Sequence, residues 1–347
     1  MIQKQPLLGL TLPELQEIVK QLSMPAFTAK QIASWLYDKK VKSIDEMTNL
    51  SLKHRSLLNE IYEVGAHAPV EAMRSIDGTI KYLYQVGENH FVEAVYIPDG
   101  ERATLCVSSQ VGCKMNCKFC MTGKQGFAIN LSANQILNQI ISLPECNQLT
   151  NVVMMGMGEP LDNYDNVMRF LEIVGSRDSL NIGYRHISLS TCGLVDKIDR
   201  LANENYPITL SISLHACCDE DRSRIMPINN AWNIDKLLDA CKRYFDKTGR
   251  RISFEYTLIS GENDSVEQAK KLAHLIKKYF GSRPVHVNLI PLNHVDERQF
   301  SAGSREDVKR FCDTLNALHV NATVRRRLGP DIDASCGQLR HKASANK

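Results

Sequence analysis

The feature that most constrains the fold is the alternation of short apolar strands with amphipathic helices over the second half of the chain. The predicted strands are NVVMM (151–155), HISLST (186–191), ITLSISLHA (208–216), RISFEYTLI (251–259), VHVNLIPL (285–292) and NATVRRR (321–327). Strands that are joined through helices run parallel, with right-handed crossovers. With the strand that precedes residue 110, the sequence predicts six or seven parallel strands. That number suits a partial barrel better than a closed one of eight.

The residues before this region follow two other patterns. Over roughly the first 60 residues the apolar positions have helical spacing. Thr11 and Glu14 fit a capping box, and a third helix is predicted from Ser51 to about Val64. From Thr79 the period changes to two, because TIKYLYQV, FVEAVYI and ATLCVSS alternate apolar and polar residues. Turn residues separate these stretches, so they predict a short antiparallel meander.

These patterns divide the chain into four predicted parts. Residues 1–70 form an N-terminal helical accessory module, 71–102 a β-meander linker, 103–340 the partial barrel and 341–347 a flexible tail. The expected fold class is therefore α/β, a partial (β/α)6-type barrel with two additions at its amino-terminal side.

Composition limits the class of protein. Hydrophobic residues at 43% and charged residues at 23% predict an ordinary globular core. The net charge of +3 is too small to indicate nucleic acid by itself, although basic residues cluster at 325–327. The N-terminus lacks the features of a signal peptide, and no apolar run approaches the roughly 20 residues of a membrane span. We therefore expect a cytoplasmic protein without a membrane partner, whose cysteines stay reduced.

Three of the 11 cysteines stand close together at the spacing C-x3-C-x2-C, namely Cys113, Cys117 and Cys120. Structural zinc usually takes four ligands from two distant C-x2-C pairs, and no second pair follows here. An iron–sulfur cube normally takes four cysteines. With three, one iron keeps an open position for a small molecule. The residues alone are compatible with either metal centre, and the spacing favours the cluster.

Polar residues stand at the predicted carboxyl ends of successive strands, where barrels of this kind bind their ligands. Glycine allows close approach of the backbone to a ligand, and a carboxylate can pair with an ammonium group. The candidate cofactor-binding residues are Gly158, Glu159, Ser190, Ser213, Leu214, His215 and Asn293.

Two further cysteines lie outside the loop. Cys106 is seven residues before the first loop cysteine, and Cys336 is near the end of the chain. A lone cysteine is usually a small buried hydrophobe. The polar neighbours Asp331, Asp333 and Gln338 make simple core filling less suitable for Cys336. A cysteine at a strand end and one near the C-terminus could meet over the barrel mouth.

The cysteine loop, directly after a first barrel strand, resembles that of the radical S-adenosylmethionine superfamily. Other stretches narrow the resemblance to the radical S-adenosylmethionine RNA adenine-C2 methyltransferases: VEAVYIP, TLCVSSQVGC, TGKQGF, MMGMGEPL, EYTLISGEND and GPDIDASCGQL. The similarity extends from about residue 91 to residue 339, and the N-terminal module has the size found in that family.

The resemblance implies a cofactor arrangement. Cys113, Cys117 and Cys120 would hold a [4Fe–4S] cluster, whose open iron is chelated by S-adenosylmethionine. Glu159 matches the segment that holds the amino group of S-adenosylmethionine. The family also needs an electron donor, such as flavodoxin or ferredoxin with its reductase.

The resemblance further implies a reaction on an adenine of 23S rRNA in the peptidyl-transferase region, and on one beside the anticodon of certain tRNAs. In the family, a first S-adenosylmethionine methylates the residue that matches Cys336. A second yields the 5′-deoxyadenosyl radical that activates the S-methyl group. The thiolate matching Cys106 then frees the product through a transient disulfide, and Glu93 matches the proton acceptor. The helical module and the arginines 325–327 would contact phosphates.

Other functions remain to be distinguished. A related family methylates C8 of adenine and confers resistance to ribosome-directed antibiotics, but TGKQGF favours C2. A zinc-containing RNA-binding protein without catalysis, or a radical enzyme that activates a protein glycine, leaves Cys106 and Cys336 unexplained. Met121 and Cys192 depart from the usual family residues, and Met121 could alter access to the cluster. The sequence does not decide between rRNA and tRNA, or give the oligomeric state.

Overall fold

The computed structural model describes residues 4–293 and 300–339, so the predicted tail at 341–347 lies outside the described residues. Its α-helices are α1 Leu12–Gln21, α2 Thr28–Ala33, α3 Leu52–Ile61, α4 Met121–Gln125, α5 Ala133–Ile141, α6 Tyr164–Gly175, α7 Val195–Leu201, α8 Asp219–Ile225, α9 Ile234–Thr248, α10 Val266–Phe280 and α11 Arg305–Ala317. A π-helical turn, Ser34–Asp38, continues α2. The 3-10 turns are Ile44–Glu46, Cys146–Gln148, Pro160–Asn163, Tyr184–His186, Pro227–Asn230 and Pro330–Ile332.

The strands form one large sheet and two small ones. They are β1 Gln5–Pro6, β2 Tyr62–Glu63, β3 Glu71–Arg74, β4 Ile80–Gln85, β5 Phe91–Asp99, β6 Arg102–Cys106, β7 Gln110–Gly112, β8 Phe127–Asn130, β9 Asn151–Met154, β10 Ile187–Thr191, β11 Thr209–Ser213, β12 Ile252–Leu258, β13 Val285–Pro291 and β14 Ala322–Val324. The large sheet has the order β14-β13-β12-β11-β10-β9-β6-β5-β4-β3. β1 pairs with β2 and β7 with β8.

The sheet confirms the predicted fold class. β6 and the six strands from β9 to β14 pair parallel with one another, and β3 to β6 form an antiparallel meander, so β6 belongs to both parts. β3 was not predicted, because its four residues are all exposed and carry no alternation. β14 is shorter than the predicted strand 321–327, since the arginines that follow Val324 leave the sheet.

Strands β11 and β12 alternate apolar residues on the outer face with polar residues on the inner face, whereas β9 and β13 also place Val153 and Ile290 inside. In β12, Phe254 contacts Phe280 of α10 and Tyr256 contacts Phe311 of α11. The alternate residues Ser253 and Glu255 bond to each other on the inner face. Period-two alternation therefore places the apolar residues under the helices and polar groups inside the barrel.

The helical module packs on the outside of the barrel. α1 has the predicted capping box of Thr11 and Glu14. α3 ends before the predicted Val64, because the next residues form β2 against β1. The Nδ2 of Asn134 in α5 donates to the carbonyl of Leu8 at 2.8 Å. Apolar residues of the module and the barrel belong to one continuous core. The division into four parts stays a prediction.

Within residues 4–293 and 300–339, no helix is long and apolar enough to cross a bilayer.

Candidate active site

The cysteine loop is closed at its base by the β7–β8 hairpin. The Cys113 N–H donates to the carbonyl of Gly126 at 3.0 Å. Gly112 has a φ of +73°, and a Cβ there would lie 1.6 Å from the same carbonyl oxygen, so the residue must be glycine. On its far side the loop rests on α8, since the Lys118 N–H donates to the carbonyl of Ile225 at 2.9 Å. The loop is therefore fixed at both sides.

A cleft at the carboxyl ends of the barrel strands is lined by Cys113, Cys117 and Cys120 together with Phe119. Six of the seven candidate cofactor-binding residues line it as well: Gly158, Glu159, Ser190, Ser213, His215 and Asn293. The side chain of Leu214 is fully buried in the core, and its backbone N–H donates to the carbonyl of Glu255. The structure thus places the predicted residues around one cleft, with Leu214 behind its wall.

The three cysteines suit a cluster of several irons. Burial raises the pKa of Cys113 to about 12, and the neighbouring Cys120 raises it further. Thiolates so placed need a cation to balance them. In the part of the chain that the structure describes, no three His, Cys, Asp or Glu side chains converge on a point that would hold one metal ion. A cube binds each cysteine through a different iron, so its ligands need not converge on one point.

Glu159 is a buried carboxylate anchored by the backbone. It accepts the N–H of Cys192 at 2.7 Å and that of Leu161 at 3.1 Å. Burial raises its pKa, and the bond from Cys192 opposes this shift. The adjacent Gly158 has a φ of +102°, and a Cβ there would lie 2.6 Å from the side chain of Gln110. Glycine is required here by Gln110, a contact that the sequence did not reveal.

His215 is held as a neutral imidazole. Burial, together with the charge of Arg222, lowers its pKa to about 3. Its Nδ1 accepts the N–H of Thr257 at 2.9 Å, so the proton resides on Nε2. The ring lies edge-on to Phe119 with centroids 4.6 Å apart. His215 can therefore donate one hydrogen bond into the cleft at neutral pH.

Arg222 was not predicted from the sequence. Its side chain, on α8, is fully buried. Its guanidinium donates to the carbonyls of Cys192 at 2.7 Å, Ser213 at 3.1 Å and Leu214 at 3.1 Å. It also donates to Asn229 Oδ1 and to the carbonyl of Trp232. These bonds tie together the ends of β10 and β11. An arginine in a short polar helix gives no local signal of burial.

Cys106 and Cys336 line the same second cavity, next to the cleft. Cys336 also lines the cleft, and Asn293 Nδ2 donates to its carbonyl at 3.0 Å. Burial raises the pKa of Cys106 to about 12; Cys336 adds to this shift and Arg325 opposes it. Both thiols are free.

The three consecutive arginines do not form one basic patch. Arg325 lines both the cavity and the cleft, and Cys336 is the main cause that raises its pKa. Arg326 is exposed and pairs with Asp99 at 2.8 Å, while Arg327 donates to the carbonyl of Leu292. Arg325 is therefore placed toward the thiols, not toward a solvent-exposed phosphate.

Glu93 lies on β5 on the same face as Val95 and Ile97, which line the cavity of the two cysteines. Its carboxylate pairs with Lys81 at 3.1 Å, and its carbonyl accepts the Ser108 hydroxyl at 2.6 Å.

The two residues that depart from the family pattern have defined positions. Met121 is buried, and its N–H donates to the carbonyl of Gly337 at 2.8 Å. It links the cysteine loop to the loop of Cys336. Cys192 lines the cleft and carries the N–H that binds Glu159.

Comparison with known proteins agrees with this geometry. Residues 107–276 match the Radical SAM superfamily, and residues 5–64 match the ribosomal RNA large subunit methyltransferase N-terminal domain. A probable dual-specificity RNA methyltransferase RlmN from Bacteroides fragilis is 54% identical over 336 residues, 97% of this chain and 96% of that protein. One from Clostridium perfringens is 46% identical over 344 residues, 98% of each. A solved radical SAM methyltransferase from Sphaerobacter thermophilus has a TM-score of 0.92 and 41% identity, and covers 97% of this chain and 99% of its own.

Proposed function

The chain belongs to the RlmN family of radical S-adenosylmethionine RNA methyltransferases, and on this premise we propose what each residue of the cleft does. Membership makes it an RNA methyltransferase that uses a [4Fe–4S] cluster and two molecules of S-adenosylmethionine per cycle. The roles proposed for the individual residues rest on one observation. Cys106 and Cys336 line one cavity, and Cys336 also lines the cleft of the three loop cysteines.

Cys113, Cys117 and Cys120 would hold the cluster, each on a separate iron. When bound, the cluster supplies the electron that cleaves S-adenosylmethionine. Glu159 offers its carboxylate to the ammonium group, and the Nε2–H of His215 offers a donor to a carboxylate or ribose oxygen. The remaining cofactor contacts are assigned to Gly158, Ser190, Ser213, Leu214 and Asn293, with Leu214 acting through its backbone.

Cys336 is the methyl carrier. Its thiolate displaces the methyl group from the sulfonium of S-adenosylmethionine, which leaves S-adenosylhomocysteine. Arg325 lines the same cavity and cleft as this thiol, and Cys336 is the main cause that raises the pKa of Arg325. After the methyl carbon has bonded to the adenine ring, Cys106 attacks the Cys336 sulfur, which releases the RNA and forms a disulfide. Two electrons from a reductant then restore both thiols. Glu93 is the proton acceptor of the ring.

The proposed target is C2 of an adenine in 23S rRNA and in tRNA. The stretch TGKQGF supports C2, and the name of the relatives, dual-specificity RNA methyltransferase, supports two kinds of RNA. The base must leave its stack to reach a cavity at the barrel mouth. The helical module of residues 1–70 binds the RNA. A flavodoxin or ferredoxin with its reductase supplies electrons. An enzyme that acts on ribosomal RNA works in the cytoplasm, which we propose as its location.

Two cysteine variants test these roles. Cys336→Ala should abolish methylation of both RNAs, because no carrier remains. Cys106→Ala should accumulate an RNA–protein adduct of one RNA per chain, because the tether is not released. Cys146→Ala is the matched control and should retain activity. This half-buried thiol lies in the 3-10 turn Cys146–Gln148.

The readout is mass spectrometry of nucleosides from rRNA and tRNA fragments, after reaction without oxygen. The expected product is 2-methyladenine in both. An 8-methyladenine product would overturn the C2 assignment in favour of the antibiotic-resistance enzymes. An active Cys336→Ala variant would overturn the carrier role, and a Cys106→Ala variant without an adduct would contradict the tethered release.

A further inference from the structure

The inside of the barrel is polar where barrels usually contain bulky branched side chains. Inner positions of β12 and β13 carry Ser253, Glu255, His286 and Asn288, and β14 adds Thr323. Buried polar groups are retained when they are hydrogen-bonded to each other, because an unpaired one is costly. The proposed reaction uses none of these residues.

These side chains form a continuous hydrogen-bonded path. Ser253 Oγ donates to Glu255 Oε1 at 3.0 Å and lies 3.2 Å from His286 Nδ1. His286 Nε2 lies 2.8 Å from Thr323 Oγ1. Glu255 is 4% exposed and lines the cleft, whereas Thr323 is exposed on β14, the edge strand of the large sheet. The path therefore connects the cleft to solvent through the barrel interior.

Every member can both accept and donate a proton. A serine or threonine hydroxyl and an imidazole each have a donor and an acceptor site. Burial, together with the charge of Arg251, lowers the pKa of His286 to about 4, so the ring is neutral at physiological pH. Burial raises the pKa of Glu255, while Arg325, Asn288 and the serines oppose this shift. Burial therefore disfavours the charged forms of both Glu255 and His286.

Methylation of Cys336 in the cleft releases a proton, which needs a route to solvent. Methylation of Cys336 breaks its S–H bond and the sulfonium S–CH3 bond, and forms the new S–CH3 bond. The sulfonium charge disappears, so one proton must leave. Cys336, Arg325 and Glu255 line the same cleft, and the electrostatic interactions of Arg325 include both Cys336 and Glu255. With cofactor in the cleft and RNA over the mouth, the barrel interior remains as an exit.

We propose that Glu255 accepts the proton of Cys336 when this thiol is methylated, and passes it through Ser253, His286 and Thr323 to solvent at the open edge of the sheet. This inference rests on the proposed role of Cys336 as methyl carrier. Asn288 Nδ2, 2.6 Å from Glu255 Oε2, fixes the carboxyl group at the start of the path.

The test measures methyl transfer to Cys336 in a single turnover of the holoenzyme, by mass spectrometry of the peptide that contains it. His286→Ala should slow this step by roughly tenfold or more, as loss of a proton-transfer group does. Added imidazole should restore most of the rate, because it replaces the missing ring. Glu255→Gln should be equally slow and should not respond to imidazole. His274→Ala, at an exposed histidine on α10, is the control and should match the parent enzyme.

His286→Gln covers the case in which the alanine variant fails to fold. Glutamine can keep hydrogen bonds to both neighbours but does not relay a proton, so this variant should also be slow. Iron content and thermal melting establish that each variant is folded, and the parent with imidazole controls for effects on the cluster. Parent-like rates in either His286 variant, or a slow His286→Ala variant without rescue, would overturn the path. A parent enzyme that never methylates Cys336 would instead overturn the proposed function.

Discussion

A single buried arginine organises one wall of the cleft. Arg222 donates its hydrogen bonds to uncharged oxygens at the ends of β10 and β11, so carbonyl dipoles balance its charge. Burial lowers its pKa, while the nearby thiols of Cys192 and Cys117 oppose this shift. A buried charge is tolerated when all its donors are satisfied, and breaking such a set leaves several polar groups unpaired.

Arg222→Met should therefore lower the free energy of unfolding by about 3–5 kcal/mol, the range for breaking a buried charged network. Arg222→Lys should recover part of this loss, because lysine keeps the charge but not the planar fork. The control is Arg224→Met in the same helix, where the side chain is 56% exposed. It should cost no more than about 0.5 kcal/mol. Urea titrations measure all three, and equal stability of the two methionine variants would contradict this account.

His215 makes stability depend on pH. Its pKa is about 3 in the folded chain, because of burial, and near 6.5 when unfolded. Between these values the unfolded chain binds a proton that the folded chain does not. The contribution of the neutral His215 ring to the free energy of unfolding is thus fully present above about pH 6.5. It is lost as the pH falls toward 3, by up to about 1.4 kcal/mol per pH unit.

His215→Gln should flatten the decrease in unfolding free energy between about pH 6.5 and pH 5, because this proton is no longer taken up. His274→Gln is the control, at an exposed position where folding leaves the ring in solvent. The measurement is a series of urea titrations across this pH range. An unchanged slope in His215→Gln would show that the folded ring titrates normally.

Among the elements, the loop of residues 329–339 determines where Cys336 lies. The turn between β3 and β4 holds it from one side, since Ser75 Oγ donates to Asp331 at 2.5 Å and the Gly329 N–H donates to Asp77 at 2.8 Å. The cysteine loop holds it from the other, because the Thr122 hydroxyl donates to the carbonyl of Leu339 at 2.8 Å. The position of the methyl carrier thus depends on the meander as well as on the barrel.

Asp77→Asn should loosen this loop. Burial acts to raise the pKa of Asp77, but hydrogen bonds from Gly329 and Thr79 outweigh it and leave the pKa at about 2. The side-chain oxygen of asparagine can accept one of these N–H groups, but its NH2 group would face the other N–H and repel it. We expect faster hydrogen exchange over 329–339 and slower methylation of Cys336.

The control for Asp77→Asn is Asp99→Asn, which removes an exposed ion pair with Arg326 in the same meander. Such pairs contribute about 0–1 kcal/mol, so exchange in the loop should stay unchanged. Equal exchange in both variants would mean that the turn does not hold the loop.

At the scale of the whole molecule, the sequence predicted what periodicity and spacing encode. The parallel sheet and the cysteine loop follow from local patterns, and the meeting of Cys106 with Cys336 follows from strand-end placement. Long-range contacts have no such signal. Arg222 and Arg325 look like surface residues, but the fold buries Arg222 and places Arg325 in the wall of the cleft, and Gly158 is constrained by Gln110 of β7. The hydrogen-bonded path inside the barrel can be recognised only once the register of the strands is known, and the sequence does not give that register.

The same core unites the helical module with the barrel, so the two should unfold together. Asn138 in α5 is buried; its Oδ1 accepts the His67 N–H at 2.8 Å and its Nδ2 donates to the His67 carbonyl at 2.9 Å. Asn138→Ala leaves both backbone groups without this partner, which costs about 1–3 kcal/mol per unsatisfied group. Since apolar packing is shared across this boundary, the loss should destabilise the whole chain.

Calorimetry of Asn138→Ala should show a single transition at a Tm lower by several degrees, because about 1 kcal/mol corresponds to roughly 2–4 °C in chains of 150–250 residues and to somewhat less in a longer chain. Asn147→Ala is the matched control: this exposed side chain binds Lys40 across the same boundary at 2.8 Å. Its Tm should stay close to that of the parent, since water replaces the lost partner. Two separate transitions in the parent, or a variant in which only the module melts early, would show that the module and the barrel are independent domains.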